Sequence, residues 1–223
     1  MIKKGDFIEL DFTGKVIELD KVFDTTSKSI AKDNNIFQEQ AMYRPIKIVV
    51  GESHVVRGLD NALVGKKPGN FTVDIEPDEA FGKKVPQLLK IIPTREFKKQ
   101  NIKPFVGLEV NIDNTPGIVR TVSGGRVIVD FNHPLAGKGL SYEVNVKRLI
   151  TAKKEKVEAV LSLMGFQFKD VTLQENKATI KIFTKLPTEL QKQAAREIER
   201  LTKAKAEFKE VKAGETTQKK ASK

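Results

Sequence analysis

The feature that most constrains this chain is a strand pattern that breaks off, gives way to a different one, and then resumes. Phe7-Ile8-Glu9-Leu10-Asp11-Phe12 alternates and ends at the turn signal Thr13-Gly14, and Lys15-Val16-Ile17-Glu18-Leu19 can pair back on it. After a polar loop, Pro45-Ile46-Lys47-Ile48-Val49-Val50-Gly51 and Phe71-Thr72-Val73-Asp74-Ile75 read as further strands. Near Lys83 the character changes: residues 85–129 carry hairpin signals of their own, Asp113-Asn114-Thr115-Pro116-Gly117 and Ser123-Gly124-Gly125. Period-two alternation returns at Leu140-Ser141-Tyr142-Glu143-Val144-Asn145-Val146. A chain that leaves one sheet, makes hairpins and comes back to the first sheet implies a discontinuous domain with a second one inserted.

Only Leu59, Ala62 and Leu63, before Gly65, show helical spacing in the first part, so one short helix is expected between Val55 and Val64. The expected fold class is therefore α+β: an antiparallel half-barrel sheet wrapped on one short helix. It carries an inserted small all-β domain and a C-terminal mixed α/β domain. The boundaries read as 1–86 with 130–151 for the first domain, 87–129 for the insertion and 152–212 for the last. In that last part Val157, Val160, Leu161 and Met164 share a helical face, and Glu175-Asn176 turns between two strands. Pro187 opens a helix with Leu190, Ala194, Ile198 and Leu201 on one side, and Phe208 and Val211 suit a last strand. Residues 213–223 hold no apolar side chain larger than alanine and are expected to be disordered.

Composition removes several chemistries. The 223 residues include no cysteine and two histidines, His54 and His133, which leaves no disulfide, no thiol catalysis and no Cys/His zinc site. No nucleophile elbow surrounds either histidine. No metal or cofactor is expected. His133 reads as a structural anchor in its turn and His54 as a surface residue. No apolar run approaches the ~20 residues that span a bilayer, and Met1-Ile2-Lys3-Lys4 is not a signal peptide. The expectation is a cytoplasmic protein without membrane contact. Of the net charge of +11, residues from Ala152 onward contribute seventeen basic against ten acidic side chains. The two signs alternate there, which suits a solvated surface better than a nucleic-acid patch.

Four segments in order resemble the FK506-binding type of prolyl isomerase. They are Ile8-Glu9-Leu10-Asp11-Phe12-Thr13-Gly14, Val22-Phe23-Asp24-Thr25-Thr26, Val55-Val56-Arg57-Gly58-Leu59-Asp60-Asn61-Ala62-Leu63-Val64-Gly65, and Glu79-Ala80-Phe81-Gly82. Phe131-Asn132-His133-Pro134-Leu135-Ala136-Gly137 is similar to the re-entry segment of the SlyD-like branch, which carries an insert-in-flap chaperone domain. The overall layout resembles the long archaeal members of that branch. The resemblance covers residues 1–151; beyond them it rests on length and layout.

The resemblance implies peptidyl-prolyl cis/trans isomerase activity in an apolar pocket lined by Phe12, Phe23, Asp24, Ile46, Val55, Val56, Leu59, Phe81 and Tyr142. Leu59 would form the floor where the family often has tryptophan, and Phe12 and Phe81 stand where tyrosine is common. The Val56 backbone N–H would donate to the substrate carbonyl, and Asp24 would orient the twisting amide. Read without the family, Asp24 also suits a turn cap, and Ile46 and Val55 suit a core as well as a substrate contact. The insertion's apolar supply, Ile91, Ile92, Phe97, Phe105, Val106, Val110 and Ile112, exceeds what so small a unit can bury. It is expected to bind unfolded or proline-containing polypeptides. Three other readings stay open: a non-catalytic holdase, a ribosome- or nucleic-acid-associated factor acting through the basic C-terminal part, and a homodimer formed through Leu190, Ile198 and Leu201.

Overall fold

The computed structural model describes residues 1–184 and 186–210. The expected tail, Val211 and the end of the C-terminal domain lie outside the described residues. The chain is mixed α+β. It forms two compact units that alternate along the sequence: Met1–Thr13, Asp24–Val73 and Glu143 onward in one, Gly14–Phe23 and Asp74–Tyr142 in the other.

The first sheet is built from β1 (Phe7–Val16), β2 (Lys21–Thr25), β3 (Ile46–Val49), β4 (Gly69–Ile75) and β9 (Leu140–Ile150), in the order β2-β1-β9-β4 with β3 on β1. β1 and β3 run antiparallel from Phe7 opposite Val49 to Leu10 opposite Ile46. β1 does not turn at Thr13-Gly14 as the sequence suggested; it continues to Val16. Gly14 is small for packing: a Cβ there would stand 2.6 Å from Phe23 Cζ and 3.1 Å from Tyr142 Cε1. The polar loop after β2 also differs from expectation, since it winds into α1 (Lys28–Asp33). Ser27 caps this helix by accepting the Ile30 N–H at 3.5 Å, so the first part holds two helices and not one. The expected helix is α2 (Arg57–Leu63), which buries Leu59 and Leu63.

In the unit that begins with Met1–Thr13, the C-terminal segment forms α4 (Lys153–Leu163), β10 (Phe168–Gln174), β11 (Lys177–Ile182), α5 (Thr188–Thr202) and β12 (Lys205–Glu210). β10 and β11 are an antiparallel hairpin, and α5 returns the chain so that β12 runs parallel to β11. This segment does not keep a core to itself. Val157, Val160, Leu161, Val171, Ile180 and Ile198 pack in one cluster with Phe7 of β1 and Val49 of β3. Ile198 is fully buried there and Leu201 packs against the cluster, whereas Leu190 stays exposed. Leu190, 42% exposed, is the most open of those three, and Ile198 is closed to a second chain. An ion network borders the cluster: Glu155 takes Lys47 at 2.8 Å and the guanidinium of Arg148, which also reaches Glu9 at 2.6 Å.

The other unit contains a four-stranded antiparallel sheet, β5 (Leu89–Pro93), β6 (Glu109–Ile112), β7 (Thr115–Ser123) and β8 (Arg126–Asp130), ordered β5-β8-β7-β6. Asp113-Asn114 and Gly124-Gly125 turn with positive φ at both residues, as tight two-residue hairpins require. The first turn is narrower than the sequence signal: Thr115-Pro116-Gly117 already belongs to β7. Gly117 again makes room, since a Cβ would lie 2.7 Å from Val129 Cγ1 and 2.8 Å from the Phe131 ring. The region is not all-β. A short helix, α3 (Thr94–Lys99), turns Phe97 into a core with Val119, Val127 and Val129.

Candidate functional site

Of the nine residues expected to line an isomerase pocket, Phe12, Asp24, Ile46, Val55, Val56 and Leu59 belong to the first unit; Phe23, Phe81 and Tyr142 belong to the second. Leu59 is 1% exposed on α2, while Val55 and Val56 are half-buried just ahead of it. Val56 has extended backbone and starts the helix, its carbonyl accepting the Asp60 N–H at 3.0 Å. Ile46 opens β3 opposite Leu10.

Phe12 and the Asp24 region are held together by threonines. The Phe12 N–H donates to Thr26 Oγ1 at 3.0 Å, the Thr26 N–H returns to the Phe12 carbonyl at 3.0 Å, and Thr25 Oγ1 donates to that same carbonyl at 3.1 Å. Thr25 also shares a 2.8 Å hydrogen bond with Thr13, and Thr26 donates to Asp11 at 2.8 Å. Thr25 and Thr26 are buried, so every hydroxyl is satisfied from within. Asp24 itself presents open surface, yet surrounding protein strips hydration from its carboxyl and raises its pKa, against a hydrogen bond from the Thr25 backbone that lowers it. Phe12 also lines a groove of about 790 Å³ with Thr13, Thr26, Tyr43, Arg44 and Asn145, a groove that none of the other eight residues reaches.

In the second unit Phe23 meets Tyr142 edge to face, with ring centroids 5.8 Å apart. Gly14 makes that arrangement possible. Phe81 stacks flat on His133, centroids 4.3 Å apart and planes 3° from parallel. His133 Nδ1 accepts the Leu135 N–H at 3.2 Å, and the Gly137 N–H donates to the Gly82 carbonyl at 2.8 Å. The segment 133–137 is thus seated on 81–82. His133 has the anchoring role read from the sequence, with Phe81 as a partner that the sequence did not reveal. His54 is no bare surface residue: it is half-buried, and its Nδ1 accepts the Val49 N–H at 3.2 Å.

Sequence reasoning missed two carboxylates. Asp60 is 5% exposed; its two oxygens accept the Gly51 N–H at 2.8 Å and the Ser53 N–H at 3.0 Å, bracing the turn that leads to Val55 and Val56. An acid in the first turn of a helix that follows a Gly-x-Ser turn was the available signal. Asp130, 2% exposed in its side chain, takes Lys84 at 3.0 Å and Arg120 at 3.2 Å. Burial pushes its carboxyl up, but hydrogen bonds from Asn132 and Lys84 prevail and hold it well below the usual carboxylate range. Asn132 in turn clamps Val85, accepting its N–H at 2.8 Å and donating to its carbonyl at 3.2 Å. Asp130 and Asn132 thereby tie the two chain segments that flank the four-stranded sheet.

That sheet borders an apolar groove of about 810 Å³. Ile91, Ile92, Phe97, Val110 and Ile112 all line it, and Phe105 does not. Their exposure divides them: Ile91 is 63% exposed, whereas Phe97 is 4% exposed, because α3 commits its ring to the local core. Phe105 and Val106 form a separate exposed apolar tip, 59% and 66% open. Among the described residues no group of His, Asp or Glu is disposed to hold a metal ion, and no helix is long and apolar enough to cross a membrane.

A family model described as FKBP-type peptidyl-prolyl cis-trans isomerase matches residues 1–106, and one described as FKBP26, IF domain, matches residues 90–135. The chain is 32% identical over 157 residues to the short-type peptidyl-prolyl cis-trans isomerase of Methanocaldococcus jannaschii, a match covering 70% of this chain and 98% of that protein. It is 35% identical over 109 residues to the FKBP-type 16 kDa peptidyl-prolyl cis-trans isomerase of Escherichia coli K12, covering 46% of this chain and 72% of the relative. Against the FKBP-type peptidyl-prolyl cis-trans isomerase SlyD of Treponema pallidum, identity is 34% over 121 residues, covering 52% and 68%.

Proposed function

The chain belongs to the FKBP-type peptidyl-prolyl cis-trans isomerases, and on that premise we propose that it couples prolyl isomerisation to capture of non-native polypeptides. Rotation about a peptide bond faces a barrier of about 18–20 kcal/mol set by amide resonance. No bond is made or broken, so neither nucleophile nor metal is called for. The planar amide is more dipolar than the twisted one; an apolar site that withholds water disfavours the ground state. Shape complementarity to the twisted form supplies the rest.

In this reading Leu59 is the floor under the proline ring, and Phe12, Phe23, Ile46, Val55, Phe81 and Tyr142 are the apolar walls. The Val56 N–H donates to the substrate carbonyl. Asp24 orients the twisting amide. The carboxyl of Asp24, partly stripped of water beside the Thr25-Thr26 clasp, suits electrostatic work on a dipole that changes as the bond turns. Relatives such as the short-type isomerase, matched along 98% of its length, support the isomerase half.

The chaperone half rests on one observation above all. The groove beside the four-stranded sheet leaves Ile91 63% exposed although eight other apolar side chains line the same surface. An open apolar groove flanked by the edge strands β5 and β6 suits an extended, unfolded segment. Holding a chain there raises its effective concentration at the isomerase site without any new contact in that site.

The test compares a short proline tetrapeptide with a protein whose refolding is proline-limited. Asp24→Ala and Phe81→Ala are expected to depress both activities. Ile91→Ser with Phe105→Ser is expected to spare the tetrapeptide reaction and to cut acceleration of refolding by about tenfold or more. Absence of tetrapeptide catalysis by the unaltered protein would leave only a holdase. Equal loss on both substrates in the Ile91/Phe105 variant would remove the chaperone half.

A further inference from the structure

We propose that Arg200, on α5 of the C-terminal segment, is a positioning residue for the isomerase site, setting the 50–56 loop that presents Val56 to substrate. The proposal rests on the reading of Val56 as a substrate contact. All the residues involved belong to one compact unit.

The loop lies between β3 and α2 and is held from its α2 side by Asp60, through the Gly51 and Ser53 amides. Ser53 sits in the left-handed region at φ 58°, a conformation a serine keeps only when its surroundings impose it. Glu52 is the residue between those two amides. Arg200 grips both of its carboxylate oxygens, Nη1 at 2.9 Å and Nη2 at 2.6 Å. The same guanidinium takes Glu197, one turn back on α5, through Nε at 3.0 Å and Nη2 at 2.6 Å. Glu197 thus pre-orders the arginine, and the paired fork on Glu52 fixes direction as well as distance. Hydrogen bonds from Arg200 hold the carboxyls of both Glu52 and Glu197 below their ordinary range.

The core makes this grip specific to one loop position. Val49, three residues before Glu52, and Ile198, two residues before Arg200, are both fully buried in the same apolar cluster. Packing sets the helix against the base of the loop, and the ion pair continues that alignment outward along the loop. A surface ion pair contributes little to stability by itself. Small displacements of a substrate-binding group nevertheless alter rates well beyond their stability cost. The basic C-terminal segment, for which the sequence left several roles open, then acts on the isomerase site through this contact.

The test measures kcat/KM on a proline tetrapeptide, melting temperature and amide exchange of the loop in the full chain. Arg200→Gln is expected to lower kcat/KM about fivefold while the melting temperature moves by no more than about 2 °C. Exchange at Ser53–Val56 should speed up. Arg200→Lys, which keeps the charge but loses the fork, should fall between, and the swapped pair Glu52→Arg with Arg200→Glu should recover most of the loss. High salt should bring the unaltered protein toward Arg200→Gln and leave the variant unmoved. Full activity of Arg200→Gln in an active background overturns the proposal alone. So does a loss that tracks the melting temperature and is not rescued by the swap. No catalysis by the unaltered protein overturns the isomerase reading together with it.

Discussion

The C-terminal segment and the four-stranded sheet solve the same problem, a short stretch of chain attached to a larger fold, by opposite means. Among the described residues the cluster that holds the C-terminal segment contains thirteen buried side chains, two of which, Phe7 and Val49, come from β1 and β3. The cluster under the four-stranded sheet contains four. That sheet is secured at its two flanking segments by polar groups, the Asp130–Lys84–Arg120 cluster and the Asn132 clamp on Val85. It leaves an apolar groove open. Apolar burial uses up the surface it fastens, whereas a small polar clamp leaves apolar surface for a client. Under the proposed function, the difference separates the region that braces the isomerase site from the one that takes up a client.

The sharpest break of this comparison is a cavity placed in each region. Ile180→Ala, in the shared cluster, is expected to destabilise by about 3–4 kcal/mol. It should lower tetrapeptide activity at temperatures where the unaltered protein is folded, because Val49 loses support. Calorimetry of the full chain checks it. If Ile180→Ala melts only the C-terminal segment and spares activity, the shared core does not act as one.

Asp130→Asn tests the polar side. Its expected effect is smaller, about 2 kcal/mol, since Lys84 and Arg120 are half-exposed and can return to water. The folded-state pKa of Asp130 is depressed, so its contribution is present above the ordinary carboxylate range and is lost as pH falls below it. Denaturant titrations should therefore show the variant's deficit at pH 7 and its shrinkage toward pH 3. A deficit independent of pH would mean the carboxylate's charge is not what holds the clamp.

Glu155→Gln sharpens the comparison at its weakest point, the ion network beside the apolar cluster. Here the effect should be on the order of 1 kcal/mol or less, as for partly exposed pairs. Arg148 and Lys47 hold Glu155 down to about 2 from an ordinary 4.5. The contribution is thus present above pH 4.5 and fades as pH falls toward 2. A deficit as large as that of Asp130→Asn would show that the C-terminal segment depends on charge as well as on burial.

Much of this was legible from single residues and spacings. The strand segments, the helix before Gly65, the turns at Asp113-Asn114, Gly124-Gly125 and Glu175-Asn176, and the α4 and α5 patterns are local events, governed by backbone preference and periodicity. Gly14 and Gly117 misled for a physical reason. A glycine that turns and a glycine that yields space to an aromatic ring look alike in sequence, and only the neighbours, Phe23 and Tyr142 in one case and Phe131 in the other, tell them apart. α1 and α3 were missed because helices of six residues carry too few turns to show a period.

The sequence by itself determined the family, the α+β class and the identity of the residues proposed for the isomerase site, because these follow from local pattern and motif. The tertiary structure alone decided which residues lean on which. It placed Asp60 under the Gly51–Ser53 turn, stacked Phe81 on His133, and joined Phe7 and Val49 to a core supplied largely from beyond residue 150. It also brought Arg200 to Glu52, 148 residues away along the chain. Such contacts depend on how the chain closes on itself, and no local preference encodes a partner at that separation.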